Sequence, residues 1–373
     1  MLNRTLTIAA VVAAATIGEG VFALPYIIKE SGWVLTLCYF IALIAAVSVA
    51  HIVYVRTLMV VDEKERLLGL AKKYFGNAGF WIGFIAIVIG LLLGFVAYLV
   101  LGTQFLKILF PGIPPTAAFA IFWFFLAYLV WRSEGKIASF EVAGVALISG
   151  AILFIFFSGN TGVAFANIPF VVPHNFFLPF GVVLFSLAGW TSVEQVYELA
   201  RDRDTGRKKT LRGMFGIFVA GTAFAALLYW LFAVGVIGTT TQVTVDTISG
   251  LGGWPTWRKD ILAMVGFFAA AVVSLPLARE MRGAMEKDLG WNSIVSRVLI
   301  IGLPFVAIFS GLNNLLIIVS LAGGVFLSTQ YLLIISVGRR ALALSAREKG
   351  LLDVIMIIFV CAAVYSVYAF IVR

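Results

Sequence analysis

Charge is scarce in this chain. Only 12% of its 373 residues are charged, against 62% hydrophobic, with a mean hydropathy of +1.07. A soluble exterior needs more polar cover than this, so a water-soluble globule is excluded and lipid must solvate much of the surface. Lipid offers the backbone no hydrogen bonds, which leaves helices or a closed barrel. The apolar runs are about 16 to 30 residues long without strict alternation, which argues for helices. Cysteine is nearly absent: Cys38 and Cys361 both sit in apolar runs, so there is no disulfide framework. The chain has two histidines, no H-E-x-x-H pair and no phosphate-binding loop, and Asp246 and Asp260 fall outside the apolar runs. That composition argues against an intramembrane enzyme and a nucleotide-driven pump, and no metal or cofactor is expected.

The formal charge of +9 suggests a nucleic-acid partner at first sight. The basic residues follow membrane topology instead, and no nucleic acid is expected. Met1 to Arg4, the run Leu6–Ile17 and Ala13-Ala14-Ala15 resemble a cleavable signal, but the apolar stretch continues to Ile28, long enough to span.

Eleven spans are expected: 6–28, 33–55, 80–110, 117–131, 142–157, 177–199, 214–237, 261–278, 294–311, 315–337 and 351–371. Pro111-Gly112-Ile113-Pro114-Pro115, Gly159-Asn160 and Gly238 with Thr239, Thr240 and Thr241 punctuate them. No soluble domain interrupts the series. With the N-terminus in the cytoplasm, all but Lys29, Lys107, Arg258, Lys259 and Arg373 of the 27 Lys and Arg lie on the inner side. This bias sets the orientation and puts the C-terminus outside an inner (plasma) membrane.

Two spans read as broken. The first carries Gly18-Glu19-Gly20 in mid-span and Pro25 five residues beyond Gly20. Glycine weakens a helix interior by roughly 1 kcal/mol, and a carboxylate at the bilayer centre costs roughly 3 kcal/mol. Pro25 removes a donor and clashes with the Val21 carbonyl. Such penalties coincide where backbone lines a cavity or is buried in protein. The sixth carries the small and polar run Ser186 to Ser192, then Glu194. Breaks five helices apart fit two inverted repeats, 1–158 and 176–338, followed by an extra helix at 351–371. In that arrangement the freed N–H and C=O groups bind a carboxylate and an ammonium. Close helix packing is the competing reading of each glycine-rich segment.

The run Gly18-Glu19-Gly20-Val21-Phe22-Ala23-Leu24-Pro25-Tyr26, followed by Lys29-Glu30-Ser31-Gly32-Trp33, resembles the opening of amino acid/auxin permeases and of bacterial aromatic amino acid permeases. Pro179 to Ser186, with Gly189-Trp190 and Glu194-Gln195-Val196, looks like their sixth helix. Both families belong to the amino acid–polyamine–organocation superfamily. The resemblance implies an all-helical membrane protein with the five-plus-five inverted repeat of the leucine-transporter fold. It also implies symport of an amino acid, neutral or aromatic, by alternating access. One departure bears on the co-substrate. Sodium-coupled members usually offer Ser or Thr on the eighth helix, where this chain reads Ala269-Ala270-Ala271-Val272-Val273-Ser274, so only Ser274 could serve a cation site. A proton is the expected co-substrate and sodium the alternative, with no obligate protein partner.

The candidate substrate-binding residues are Ile17, Gly18, Glu19, Gly20 and Val21 of the first break, Ser186, Ala188, Gly189, Trp190 and Thr191 of the sixth, and Tyr98. Tyr98 interrupts a small-residue stripe of Gly90, Gly94 and Gly102; the stripe reads as a packing face and the phenol as a possible carboxylate donor. Trp190 reads as a stacking partner for substrate or as packing. Glu19 has three readings: proton carrier, partner of a substrate ammonium, or a group tied to the broken backbone. Glu194, with Glu198 at i+4, reads as paired with the basic loop Arg201–Arg212, or as an inner gate or proton exit. His51 reads as hydrogen-bonded structure before it reads as a relay, and His174 as solvated. The outer segment from Thr239 to Asp260 reads as a lid. A receptor that binds an amino acid without moving it, and a channel, are the other functions compatible with these residues.

Overall fold

An amide in lipid finds its partner four residues along its own chain, so each apolar run becomes a helix. The computed structural model describes residues 2–61, 66–132, 137–158, 166, 168–200, 211–240 and 242–372. The expected turn at Gly159-Asn160, Thr241 and the basic run 201–210 lie outside the described residues, as do the side chains of Leu211 and Arg212. Among the described residues, seven helical stretches are long and apolar enough to cross a membrane: Trp33–Val60, Leu67–Leu109, Pro115–Arg132, Gly213–Ile237, Thr256–Asp288, Leu315–Ala341 and Ala346–Val372. Val145–Phe157 and Ser293–Phe309 are shorter apolar helices. The first and sixth segments are interrupted, as Leu2–Thr16 with Leu24–Ser31 and Leu178–Ser186 with Val193–Ala200.

Several boundaries differ from expectation. The third helix starts at Leu67 rather than at Phe80. Its first turns carry Lys72, Lys73 and Asn77, and Gly76 at φ +66° kinks them away from the apolar run that follows. Only glycine adopts that backbone without strain. Pro25 does not sit inside a helix. It falls at the start of Leu24–Ser31, where its missing N–H has no helical partner to lose.

The third and eighth spans share the most extensive contact. The first packs on the seventh, and the second on the seventh and tenth. The tenth span carries a π-turn at Ala322–Leu327, beside which a Cβ on Gly323 would run into the Gly181 carbonyl. Small residues therefore let the sixth span lie directly on the tenth. The eleventh span keeps Val354, Ile357, Val364 and Phe370 exposed. An apolar face of this kind is matched by lipid rather than water.

Candidate functional site

The first break begins where Ile17 donates the last α-helical bond, to Ala13. Gly18 is extended, and Glu19–Ala23 forms a 3-10 turn. Two backbone groups freed here share one partner. The Tyr229 hydroxyl accepts from the Gly18 N–H (2.8 Å) and donates to the Thr16 carbonyl (2.6 Å). A phenol from the seventh span thus does the work of the missing helical turn. The glycines serve close approach. A Cβ on Gly18 would lie 3.0 Å from the Tyr98 hydroxyl, and one on Gly20 would strike the Ser186 side chain and backbone. The Glu19 backbone opens the 3-10 turn, and its side chain lies outside the described residues.

The sixth span breaks at Leu187–Gly189 and resumes through a 3-10 turn at Trp190–Ser192. The Ser186 hydroxyl donates to Val182 and that of Ser192 to Gly189. A Cβ on Gly189 would lie 2.7 Å from the Thr16 hydroxyl, so the two breaks touch at Gly20–Ser186 and at Thr16–Gly189. Trp190 is buried, and its Nε1 donates to Gln330 Oε1 (2.5 Å). Gln330 Nε2 in turn donates to the Ala86 carbonyl (2.8 Å). The indole is therefore engaged between the third and tenth spans. Ala188 is half-buried and Thr191 exposed.

Beside the first break is an apolar cavity, with Val21, Phe22, Tyr98, Ile152, Phe232 and Gly266 in its wall. Its free volume is about 20 Å³, enough for a water and too little for an amino acid. Phe22 stands edge-on to Phe105 (5.6 Å) and Phe232 (5.4 Å). The surface facing the cavity is apolar, and the Tyr98 hydroxyl lies beside Gly18 at the break. The cavity borders the first, third, fifth, seventh and eighth spans. Of the candidate binding residues it gathers Val21 and Tyr98, while Ile17, Gly18 and Gly20 flank it along the break. Ser186, Ala188, Gly189, Trp190 and Thr191 do not line it. Ser274 is buried and its hydroxyl donates to Ala271, one turn back on its own helix.

Both ends of the crossing are covered. At one end the segment after the seventh span is a folded unit around Asp246, which accepts from Thr244, the Ser249 N–H and the Ser249 hydroxyl. This fixes Thr247 at φ +61°, a conformation that a β-branched residue rarely adopts. Thr247 is buried and donates to the Phe22 carbonyl (2.5 Å). At the other, basic end, Tyr54 donates to Glu194 (2.6 Å), and Arg66 stands between Glu194 (3.6 Å) and Glu280, to which it hydrogen bonds. Burial disfavours the Arg66 charge, but Glu280 and Glu194 outweigh it and raise the guanidinium pKa. Glu194 thus has Arg66 as a partner, across the second-to-third connection. Glu198 lies one turn further along the same helix.

Tyr229, Phe22, Phe232, Thr247, Arg66 and Gln330 are additions to the sequence reading. Gln330 carried a signal, as a lone amide inside an apolar span. The others look ordinary until the fold brings them together.

Two broken helices that cross beside a closed cavity, covered at both ends, define a multi-pass membrane transporter of the leucine-transporter type rather than an enzyme. Many solved structures share this architecture, among them the following two. A crystal structure of MhsT in complex with L-phenylalanine superimposes with a TM-score of 0.65 at 14% identity, over 97% of this chain and 98% of that one. A manganese transporter of Eremococcus coleocola, in complex with an aromatic bis-isothiourea substituted compound, does so with a TM-score of 0.59 at 12% identity, over 97% and 93%. None of the curated proteins matches significantly in sequence. Residues 1–265 match the tryptophan/tyrosine permease family, and the chain belongs to that family.

Proposed function

We propose that this protein is a secondary active transporter that carries aromatic amino acids, tryptophan and tyrosine foremost, together with protons. The observation that carries the reading is the apolar cavity walled by Phe22 and Phe232 directly against the first helix break. The break supplies backbone N–H groups and the Tyr98 hydroxyl for a carboxylate, and the cavity supplies ring edges for an aromatic side chain. The family match and the L-phenylalanine held by MhsT support the substrate class. Proton coupling is favoured over sodium because Ser274 is the lone side-chain hydroxyl in its stretch of the eighth span. Arg66, Glu194, Glu280 and Tyr54 act as the inner gate, and Thr247 with its loop as the outer cover. In this reading the repeats are 1–158 and 176–338, the chain crosses an inner (plasma) membrane eleven times, and its N-terminus is cytoplasmic and its C-terminus outside.

Counterflow in proteoliposomes tests it. Labelled tryptophan should accumulate against internal unlabelled tryptophan without sodium, compete with tyrosine and phenylalanine, and rise with an inward proton gradient. Binding without exchange would instead identify a receptor. Flux that needs no internal substrate would identify a channel, and uptake only with sodium would move coupling to the region of Ser274.

A further inference from the structure

A contiguous thread of polar groups joins the two helix breaks to His51. Gly189, in the sixth break, touches the Thr16 hydroxyl of the first-span helix on one side. On the other it faces the His51 ring, 3.7 Å from a Cβ built on Gly189 to His51 Cε1, and its backbone N–H approaches the Tyr331 hydroxyl. Tyr331 also meets His51 Nε2 at 3.3 Å. His51 is fully buried, with Phe218 of the seventh span and Tyr331 of the tenth against its ring. Its other nitrogen, Nδ1, has no hydrogen-bond partner among the described residues. The hydroxyls of Ser48, one turn away on the same helix, and of Thr222, one turn beyond Phe218, are likewise buried and unpartnered.

Such an arrangement is expensive for a purely structural histidine, because an unmade buried hydrogen bond costs free energy with no return. It is economical for a group that gains and loses a proton as its surroundings hydrate. We propose that His51 binds the coupling proton and passes its charge state to the sixth break through Tyr331. This rests on the proton-coupled carrier reading above. Protonation adds one H⁺ to the free lone pair of the ring, after which both ring nitrogens are donors. The Tyr331 oxygen, which the Gly189 backbone N–H approaches, must then accept from Nε2 as well. Nδ1–H needs an acceptor that the closed packing does not supply. The charged ring therefore favours a state in which water reaches the second span, and the neutral ring favours closure. Among the described residues, the titratable and charged groups facing this point are Tyr331 from the tenth span, Tyr54 one turn inward on the same helix, and Glu194, Arg66 and Glu280 beyond it. That ordering leads the proton toward the basic end. The seventh span contributes Phe218 and Thr222, neither of them charged at any working pH.

The chain's two histidines make the test selective. In protein labelled with ¹⁵N-histidine and carrying His174→Gln, the single imidazole signal is that of His51. Where water reaches the ring it should titrate between about pH 5 and 8, and the midpoint should fall well below that range when tryptophan closes the packing around it. In proteoliposomes, the ratio of gradient-driven uptake to exchange at equal pH should collapse to one in His51→Gln. Tyr331→Phe should shift the ¹⁵N midpoint by about one pH unit, one hydrogen bond's worth. A His51 signal that stays neutral throughout, or moves identically with and without tryptophan, overturns the proposal even where His51→Gln is too unstable to assay. So does a His51→Gln ratio equal to wild type while exchange persists, and that outcome leaves the carrier reading standing. Absence of exchange in the wild type overturns the carrier reading and this proposal with it.

Discussion

Arg66→Ala should open the basic end of the transporter. Arg66 stands between Glu194 and Glu280, and its removal leaves two carboxylates side by side. Breaking a fully buried ion pair from one side costs roughly 3 to 5 kcal/mol. Here Arg66 keeps 20% of its side-chain surface, Glu280 23% and Glu194 33%, so water screens part of the repulsion. A discounted cost of roughly 1.5 to 3 kcal/mol remains, carried by the closed state alone. At about 1.4 kcal/mol per decade, the ratio of inward-open to closed molecules rises by about ten- to a hundredfold. The assay is the labelling rate of a cysteine at position 193 in a background without Cys38 and Cys361. Val193 is fully buried near the basic end of the sixth span, and it becomes reactive only when that end opens. Adding Glu280→Gln to Arg66→Ala removes one of the facing charges and should recover most of the protection. A labelling rate in Arg66→Ala within twofold of the parent would refute the gate, since it would mean the closed state does not depend on this cation.

Tyr229→Phe strips one oxygen that serves two backbone groups, leaving the Gly18 N–H and the Thr16 carbonyl buried without a partner. The expected loss is roughly 2 to 4 kcal/mol, read as a lower melting temperature in detergent and weaker tryptophan binding; an unchanged melting temperature would show that the break needs no cap. Thr247→Ala keeps the strained backbone but deletes the bond to Phe22, and should weaken outer closure by about 1 kcal/mol, a fivefold rise in outer-side accessibility. Thr247→Gly should open the outer side equally while stabilising the loop, because glycine relieves the positive φ. Equal thermal stability of the two variants would show that Thr247 carries no strain.

The breaks were legible because their penalties pile up in short windows of otherwise continuous apolar sequence. Gly18-Glu19-Gly20 with Pro25, and Ser186 to Ser192, both fall where the helices stop. The family was legible in the same residues to the level of an aromatic amino acid permease; a place among the amino acid/auxin permeases is not shown. Partners were not legible. Tyr229 lies more than two hundred positions from the groups it caps, and nothing local marks it among other aromatics of the seventh span. Glu194 invited pairing with the basic run after it, which lies outside the described residues; its partner Arg66, brought from the start of the third helix, had no local signal. Thr247 is an ordinary loop threonine until its φ is known. The third helix began early because Lys72 and Lys73 lower local hydropathy without breaking the helix, which a hydropathy boundary cannot distinguish from a loop.

The volume of the cavity constrains how an aromatic side chain could enter. About 20 Å³ beside the first break admits no indole. Helix backbones on either side are fixed by close contacts, such as Phe105 pressed on Gly266, so they yield as units rather than by local swelling. The wall element free to give way is Phe22, which is only half-buried and sits in the 3-10 turn rather than in a continuous helix. Its carbonyl is the one that Thr247 holds, and the turn that carries it follows directly on Gly18, whose N–H meets Tyr229. Moving the Phe22 ring off Phe105 and Phe232 therefore disturbs the outer cover and the backbone groups of the break together. In the proposed reading, side-chain recognition, carboxylate recognition and closure of the outer side run through one five-residue turn, so a substrate that fills the cavity changes the outer latch through the same turn that binds it.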